Sequence, residues 1–455
     1  MTLLEPYEQM LQRIQPLGVS GRVNSVRGLT VSVSDFPAPI GASCRLVGAS
    51  CSVEGRVVGF AGEETLVMPM GTMAGICRGH RVLLTGTHQM VPVGEGMLGR
   101  VLNGAGQPID GLGPITAGRG MPIWPDPIAP MRRRRISEVL STGVRCIDAL
   151  LTVGRGQRMG IFSGSGVGKS VLLGMISRHT AADVAVIALI GERGREVRDF
   201  IEKDLGAEGL KKAVVIASTG DEPPLVRVQA GAVASAVAEY FRDRGCNVVL
   251  LMDSLTRLAT AQRQIGLVAG EPPTTKGYTP SVFNLLPQLL ERCGRTESGS
   301  ITGFYTVLAE GDDASEPISD AVRAVTDGHI HLSRGLAKGG HYPAIDCLQS
   351  VSRVMIDLVE PEHLAASREL VRVMALYDEI EDMVTIGAYQ AGANADYDLA
   401  LVAMPMIRAF LRQGINEADG LEKTIATLLD LHRQLARMKA ELEGRSRSTT
   451  AEQRT

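Results

Sequence analysis

The sequence predicts an α/β protein: a parallel sheet buried on both faces, a small β-barrel before it and a helical domain after it. Three observations carry that expectation. Largely apolar runs at Arg158 to Phe162, Asp183 to Ile190, Ala213 to Ala217, Asn247 to Met252 and Ser300 to Val307 are separated by helical stretches, the pattern of strands covered on both sides. From Gly21 to about Met90 the runs are short and β-like, such as Leu29 to Val33 and Glu64 to Met68, with glycine-rich turns between them. From about Glu362 onward the apolar spacing is helical.

Composition narrows the function classes. The 455 residues are 44% apolar and 21% charged, which excludes wholesale disorder. A formal charge of −3 leaves no global basic footprint for nucleic acid. The longest apolar runs, such as Val184 to Ile190, fall far short of the roughly 20 residues of a membrane span. MTLLEPYEQ carries no basic residue, so no secretory signal is expected. Seven cysteines without a CxxC pair fit a reducing, cytoplasmic compartment. The 52 glycines are well above the usual share of about 7% and imply tight turns and a close backbone approach to a ligand.

In chain order, Leu3, Leu4, Tyr7, Met10, Leu11 and Ile14 lie at helical spacing, so a helical segment is expected over 1–20, packed on the body or offered to a partner. The barrel is expected over 21–90. A Gly/Pro-rich passage from Val91 to Pro130 ends in the run Arg132 to Arg135, read as a solvated connector rather than a polyanion site. The α/β domain extends over 91–360, the helical domain over 361–444, and the polar residues 445–455 are expected to be a disordered tail. Thr424, Leu428, Leu431, Leu435, Met438 and Leu442 step by alternating fours and threes, a coiled-coil-like seam read first as an internal packing face.

The chemistry centres on Ser163-Gly164-Ser165-Gly166-Val167-Gly168-Lys169-Ser170, which follows a predicted strand and opens the helical stretch VLLGMISRH. A phosphate chain needs free backbone N–H groups curled around it and a helix N-terminus aimed at it, and glycines permit the curl. Gly164 to Val171 are therefore the expected nucleotide-binding residues, Lys169 reaching the β- and γ-phosphates and the Ser170 hydroxyl ligating magnesium. The strict pattern begins with glycine; Ser163 stands there instead. The run Asn247 to Met252 delivers Asp253 to a strand's C-terminal edge, the place of a magnesium-side carboxylate. Asp183 to Ile190 leads into Gly191-Glu192-Arg193, and Glu192, expected on a strand neighbouring the loop, is a candidate to polarise the attacking water. The alternative for Glu192 is a surface ion pair with Arg193 or Arg195. His329 and His331 share a strand-like segment but lack an evident third ligand, so no zinc is expected. Ser163 and Ser165 have no His/Asp partners for nucleophilic catalysis.

Taken together, TGVRCIDALLTVGRGQRMGIFSGSGVGKSVLLGM, LIGERGREVRDFIE and MDSLTRLATAQRQIGLVAGEPPTTKGYTPSVF resemble the flagellar protein export ATPases, export-branch relatives of the rotary ATP synthase catalytic subunit, and Pro343 to Ser352 fits the α/β-subunit signature of that superfamily. The resemblance implies a RecA-like P-loop core between the barrel and the helical domain, ATP and Mg2+ as ligands, and a homohexameric ring. It gives Lys169 and Ser170 the phosphate and magnesium roles, Glu192 the catalytic base and Asp253 the magnesium-side acid. It also makes Arg193 and Arg257 catalytic candidates, Tyr342 the aromatic on adenine, and Arg353 the finger donated in trans to the neighbouring subunit. Implied partners are a stator-like regulator, export-gate components and chaperone–substrate complexes at the cytoplasmic face of the inner membrane, with no nucleic acid.

Against rotary synthesis, Gly387 to Asn394 is nearly uncharged where the synthase subunit carries an acidic coupling segment. Virulence-type secretion ATPases are the nearer alternative; Gly154 to Gln157, Gly164 to Gly166 and Thr275 to Tyr278 resemble the flagellar version more. Glu316-Pro317 replaces the usual Asp-Pro, and the segment before the barrel is short. A non-catalytic ring subunit is disfavoured by Lys169 plus Glu192. An RNA-translocating hexamer is disfavoured by a barrel with two phenylalanines and a net charge of +2 from six arginines and four acids.

Overall fold

The structure is a computed structural model that describes residues 18–116, 118–308 and 316–452, with side chains described as far as Glu443. The helical spacing at residues 3–14 lies outside the described residues. Strands β1 (Ser20–Arg27), β2 (Thr30–Ser34), β3 (Ser43–Val47), β4 (Ser52–Ala61), β5 (Glu64–Pro69) and β6 (Arg81–Gly86) close into an antiparallel barrel in the order β1-β2-β5-β4-β3-β6. Alternation puts Val23, Val31, Val33, Leu46, Val57, Val67 and Val82 inside, and these small branched side chains fill a narrow barrel without aromatics beyond Phe36.

The chain then enters the sheet domain. β7 (Met90–Val93) pairs with β9 (Arg119–Pro122), while β8 (Val101–Asn103) between them joins the edge of the main sheet. The ribbon β10 (Val139–Leu140) and β11 (Val153–Gly154) encloses α1 (Arg145–Leu150). The alternating run follows: β12 (Arg158–Ser163), α2 (Lys169–His179), β13 (Val184–Glu192), α3 (Gly194–Asp199), α4 (Gly206–Lys211), β14 (Ala213–Thr219), α5 (Pro224–Asp243), β15 (Asn247–Asp253) and α6 (Leu255–Val268). α7 (Pro280–Leu290), β16 (Gly294–Arg295), β17 (Ser300–Leu308), α8 (Pro317–Val325), β18 (Gly328–Leu332), α9 (Arg334–Lys338) and β19 (Ile345–Ser352) complete it. The strand order is β19-β18-β12-β17-β15-β13-β14-β8, parallel except for β19, with β16 antiparallel on β17. Every residue of β13 is buried, as helices on both faces require.

The Arg132 to Arg135 run straps onto the sheet domain. Arg133 donates to the carbonyls of Cys293 and Glu291, Arg134 pairs with Glu297 at 2.9 Å, and Arg135 pairs with Asp357 at 3.2 Å. His329 and His331 flank the Phe162 ring, and Arg323 lies 3.1 Å from His331 Nε2.

After α10 (Met355–Leu358), the helices α11 (Pro361–Thr385), α12 (Ala395–Leu411) and α13 (Leu421–Glu452) pack together and against α1. The α13 backbone runs on through residues expected to be a tail, as far as Glu452; once a helix is nucleated and anchored, each further turn costs little even with polar side chains. Arg145 ties the helical domain to the sheet domain by donating to Phe410 O at 2.8 Å and pairing with Asp419 at 2.8 Å. Gln413 accepts from Arg145 N and donates to Gly143 O, both at 2.8 Å.

The seam on α13 is an internal packing face. Leu428, Leu431 and Leu435 are buried in the core that also holds Leu399, Ala403 and Ile407 of α12, with Met438 and Leu442 packed at its margin. Replacing Leu428 and Leu435 with alanine should each cost about 2–5 kcal/mol and lower the melting temperature of the purified protein. An unchanged melt with loss of a component in pull-downs would mean that the seam faces a partner instead.

Candidate active site

The loop between β12 and α2 owes its shape to two glycines. Gly166 (φ +78°) and Gly168 (φ +90°) occupy the left-handed region, which curls the backbone onto the N-terminus of α2. Val167 is buried and anchors the loop, while Lys169 opens the helix. Ser163, the non-glycine first position, is buried with its hydroxyl unpartnered.

Lys169 gathers the two acids. Its Nζ lies 2.5 Å from Asp253 Oδ1 and 3.7 Å from Glu192 Oε1. Glu192 is not on a strand neighbouring the loop: β17 and β15 stand between β12 and β13, and the length of the lysine side chain closes that gap. Nor does Glu192 pair with Arg193 or Arg195, which reach Glu196 and Asp199. Its Oε2 instead receives Arg257 Nη2 at 3.1 Å, and the same guanidinium donates to Gly191 O. Arg257 is placed there by the first turn of α6, whose cap is Ser254. Arg193 is 83% exposed on the side chain, away from the two acids that Lys169 gathers.

Both acids are buried, Glu192 to 8% and Asp253 to 3% exposure. Burial pushes the Glu192 carboxyl up to about 7, helped by a hydrogen bond with Glu196 and the nearby charge of Asp253; Lys169 and Arg257 pull it back. Thr306 on the intervening strand β17 donates to Asp253 Oδ1 at 2.7 Å. Sequence reasoning missed Thr306 and Glu196. β17 carries Ser300, Thr302, Tyr305 and Thr306, so no local signal singles out Thr306.

Ser170 is exposed at the start of α2, and its hydroxyl and the Asp253 carboxylate are hard oxygen donors of the kind that magnesium takes. Tyr342 stands beside the loop: a Cβ added to Gly168 would lie 3.4 Å from its ring, which is 46% exposed. Gln413 N donates to Tyr342 O at 3.0 Å, so the helical domain contributes to holding that segment.

Arg353 is not at this cluster. It follows β19 and its backbone N–H donates to Asp327 O at 2.9 Å, at the start of β18. Strand register puts Gly328 beside Met159 and Leu332 beside Ser163, so Arg353 and the loop sit at opposite ends of β12. That separation is roughly 16 Å at about 3.3 Å per residue. Its side chain is exposed, with Nη2 donating to Arg323 O at 3.5 Å.

Residues 143–352 match the nucleotide-binding domain of the ATP synthase alpha/beta family, and residues 359–430 match the C-terminal domain of the type III secretion ATPase EscN. The chain is 50% identical to the flagellum-specific ATP synthase of Pseudomonas aeruginosa over 434 residues, 94% of this chain and 96% of that one. It is 49% identical to the type 3 secretion system ATPase of Xanthomonas euvesicatoria over 410 residues, 90% and 93% of the two chains. The assembled ATPase EscN of enteropathogenic E. coli superposes with a TM-score of 0.86 at 41% identity, covering 90% of this chain and 100% of EscN. EscN in complex with its central stalk EscO gives 0.84 at 40%, again over 90% of this chain and 100% of EscN. With the loop, its two acids and these likenesses along nine-tenths of its length, the chain belongs to the family of flagellum-specific ATP synthases and type III secretion ATPases.

Proposed function

We propose that the protein hydrolyses Mg·ATP at the interfaces of a homohexameric ring and couples that reaction to flagellar type III protein export. The observation that carries this reading is the convergence of Lys169, Asp253, Glu192 and Arg257 beside the glycine loop while Arg353 stands at the opposite end of the same strand. A head-to-tail ring brings those two ends together from neighbouring subunits. In the reaction, the backbone from Gly164 to Val171 holds the phosphates and Tyr342 stacks on adenine. The Glu192 carboxylate orients the water that attacks the γ-phosphorus in line and takes its proton. Lys169 and the neighbour's Arg353 offset the charge on the transferring group, and Arg257 holds Glu192 in place. Ser170 and Asp253 would hold magnesium, which offsets phosphate charge when bound. Arg193, exposed and paired with Glu196 at 3.4 Å, is given no step in the reaction.

Similarity to flagellum-specific relatives supports the flagellar branch. A virulence-type secretion system is the second reading, favoured by a type 3 secretion relative of nearly equal identity. Loss of flagellar filaments, rather than of effector secretion, in a deletion strain decides between them. A neighbour solved with its central stalk supports a stalk partner here. The stalk would bear on the tip between α11 and α12, where Met383 and Ile386 are exposed beside the uncharged Gly387 to Asn394. Among the described residues no helix is long and apolar enough to cross a membrane, so a place at the cytoplasmic face of the inner membrane would be peripheral, through a stator-like regulator, export-gate components and chaperone–substrate complexes.

A pH profile of phosphate release tests the chemistry. The base works as a carboxylate and kcat/KM reports the free enzyme, so kcat/KM should rise about tenfold per unit below about pH 7 and level off above it. A profile flat between about pH 5.5 and about pH 8.5 would remove Glu192 as the base.

A further inference from the structure

Gly164, the first glycine of the loop, differs from the other two. Gly166 and Gly168 need glycine because of their positive φ, whereas Gly164 is not in the left-handed region. What it lacks space for is a side chain: an added Cβ would lie 2.7 Å from Nε and Nη2 of Arg334 and 3.0 Å from its Cζ, and those are its three nearest atoms. The guanidinium therefore rests on the backbone at the entry of the phosphate loop.

The topology explains how it gets there. Leu332, the last residue of β18, pairs with Ser163, the last residue of β12, so the chain leaves β18 at the same sheet edge as the loop. Ser333 caps α9, accepting from Leu336 N, and Arg334 opens that helix over Gly164. The same segment continues to Tyr342, whose ring lies beside Gly168. One stretch of chain thus flanks the loop at both ends, with a cation at its entry and an aromatic ring at its exit. Arg334 is exposed and has no carboxylate or carbonyl partner among the described residues, in contrast to Arg257, Arg158 and Arg145.

We propose that Arg334 is a nucleotide-positioning residue: its guanidinium braces the Gly164 turn and sets a positive charge beside the phosphate pocket. The inference rests on the nucleotide-site reading above. A fixed charge and a braced loop favour bound nucleotide in the ground state and the transition state alike, so the effect belongs in Kd and KM rather than in kcat. Lysine would keep the charge but lose the planar brace.

The test uses the full chain, Mg·AMP-PNP as the binding probe and steady-state phosphate release. Arg334→Gln should weaken AMP-PNP binding and raise KM for ATP, each about tenfold, the usual order for losing one charged contact, while kcat falls by less than about threefold. Arg334→Lys should recover part of the loss. Gly164→Ala should push the guanidinium away and reproduce the loss, yet add less than about twofold when Arg334 is already glutamine, because both changes remove one contact. If the parent protein does not bind AMP-PNP, the nucleotide-site reading fails. If the parent binds and Arg334→Gln binds within twofold of it, or Gly164→Ala acts equally in both backgrounds, Arg334 has no positioning role. Should Arg334→Gln fail to fold, the lysine variant and Gly164→Ala carry the same comparison.

Discussion

Rings of Arg353→Ala should turn over ATP about 10³- to 10⁵-fold more slowly than the parent, the range an arginine finger contributes by offsetting charge on the transferring phosphoryl group. Lys169→Ala rings should be equally silent, because that residue is the cation at the centre of the acid cluster and, under the proposed function, the one that reaches the phosphates. The informative experiment mixes the two. Arg353 sits a strand length, roughly 16 Å, from its own loop, so under the proposed function a complete site takes the loop of one subunit and the finger of the next. An Arg353→Ala subunit still offers an intact loop and a Lys169→Ala subunit an intact finger. With random equal co-assembly about a quarter of the interfaces would be whole, and phosphate release should reappear. Sequential coupling around the ring would hold the recovery below that fraction. Wild-type turnover by purified Arg353→Ala rings would show that the finger is misassigned.

Glu192→Gln should leave ATP bound and unhydrolysed. The amide keeps the shape and still accepts one contact from Arg257, but it cannot take the proton of the attacking water, and losing a general base costs about 10²- to 10⁴-fold. The expected signature is a variant that retains ATP through gel filtration and releases no ADP. Loss of binding instead would mean that Glu192 mainly holds Lys169 and Arg257 in place. That outcome has a physical basis, since removing the buried charge takes from Arg257 its carboxylate partner and leaves Lys169 with Asp253 alone, and the pH profile separates the two roles.

Features coded by neighbouring residues were legible in the chain. β13 was recognisable from the apolar run Val184 to Ile190, the barrel from short β-like runs and glycine turns, and the α13 seam from its stepping by threes and fours. Lys169, Ser170 and Asp253 could be assigned because their signals are local: a glycine loop between a strand and a helix, and an acid at the end of an apolar strand. The glycines at 166 and 168 belong here too, their positive φ being a property of the turn itself.

Sheet order and register decided the rest, and neither is written in any one segment. Glu192 reaches the site across two intervening strands, Thr306 touches Asp253 because β17 lies between β12 and β15, and Arg257 covers Glu192 because α6 starts beside the end of β13. Arg334 meets Gly164 because Leu332 is in register with Ser163, and Arg353 is kept from its own loop by the same pairing. A slip of one residue in β18 would turn its side chains to the other face of the sheet, and the guanidinium would leave the loop. Contacts of this kind join residues far apart in the chain and exist only once the long-range strand pairing has formed, which is why arginines of identical local appearance end at such different places in the fold.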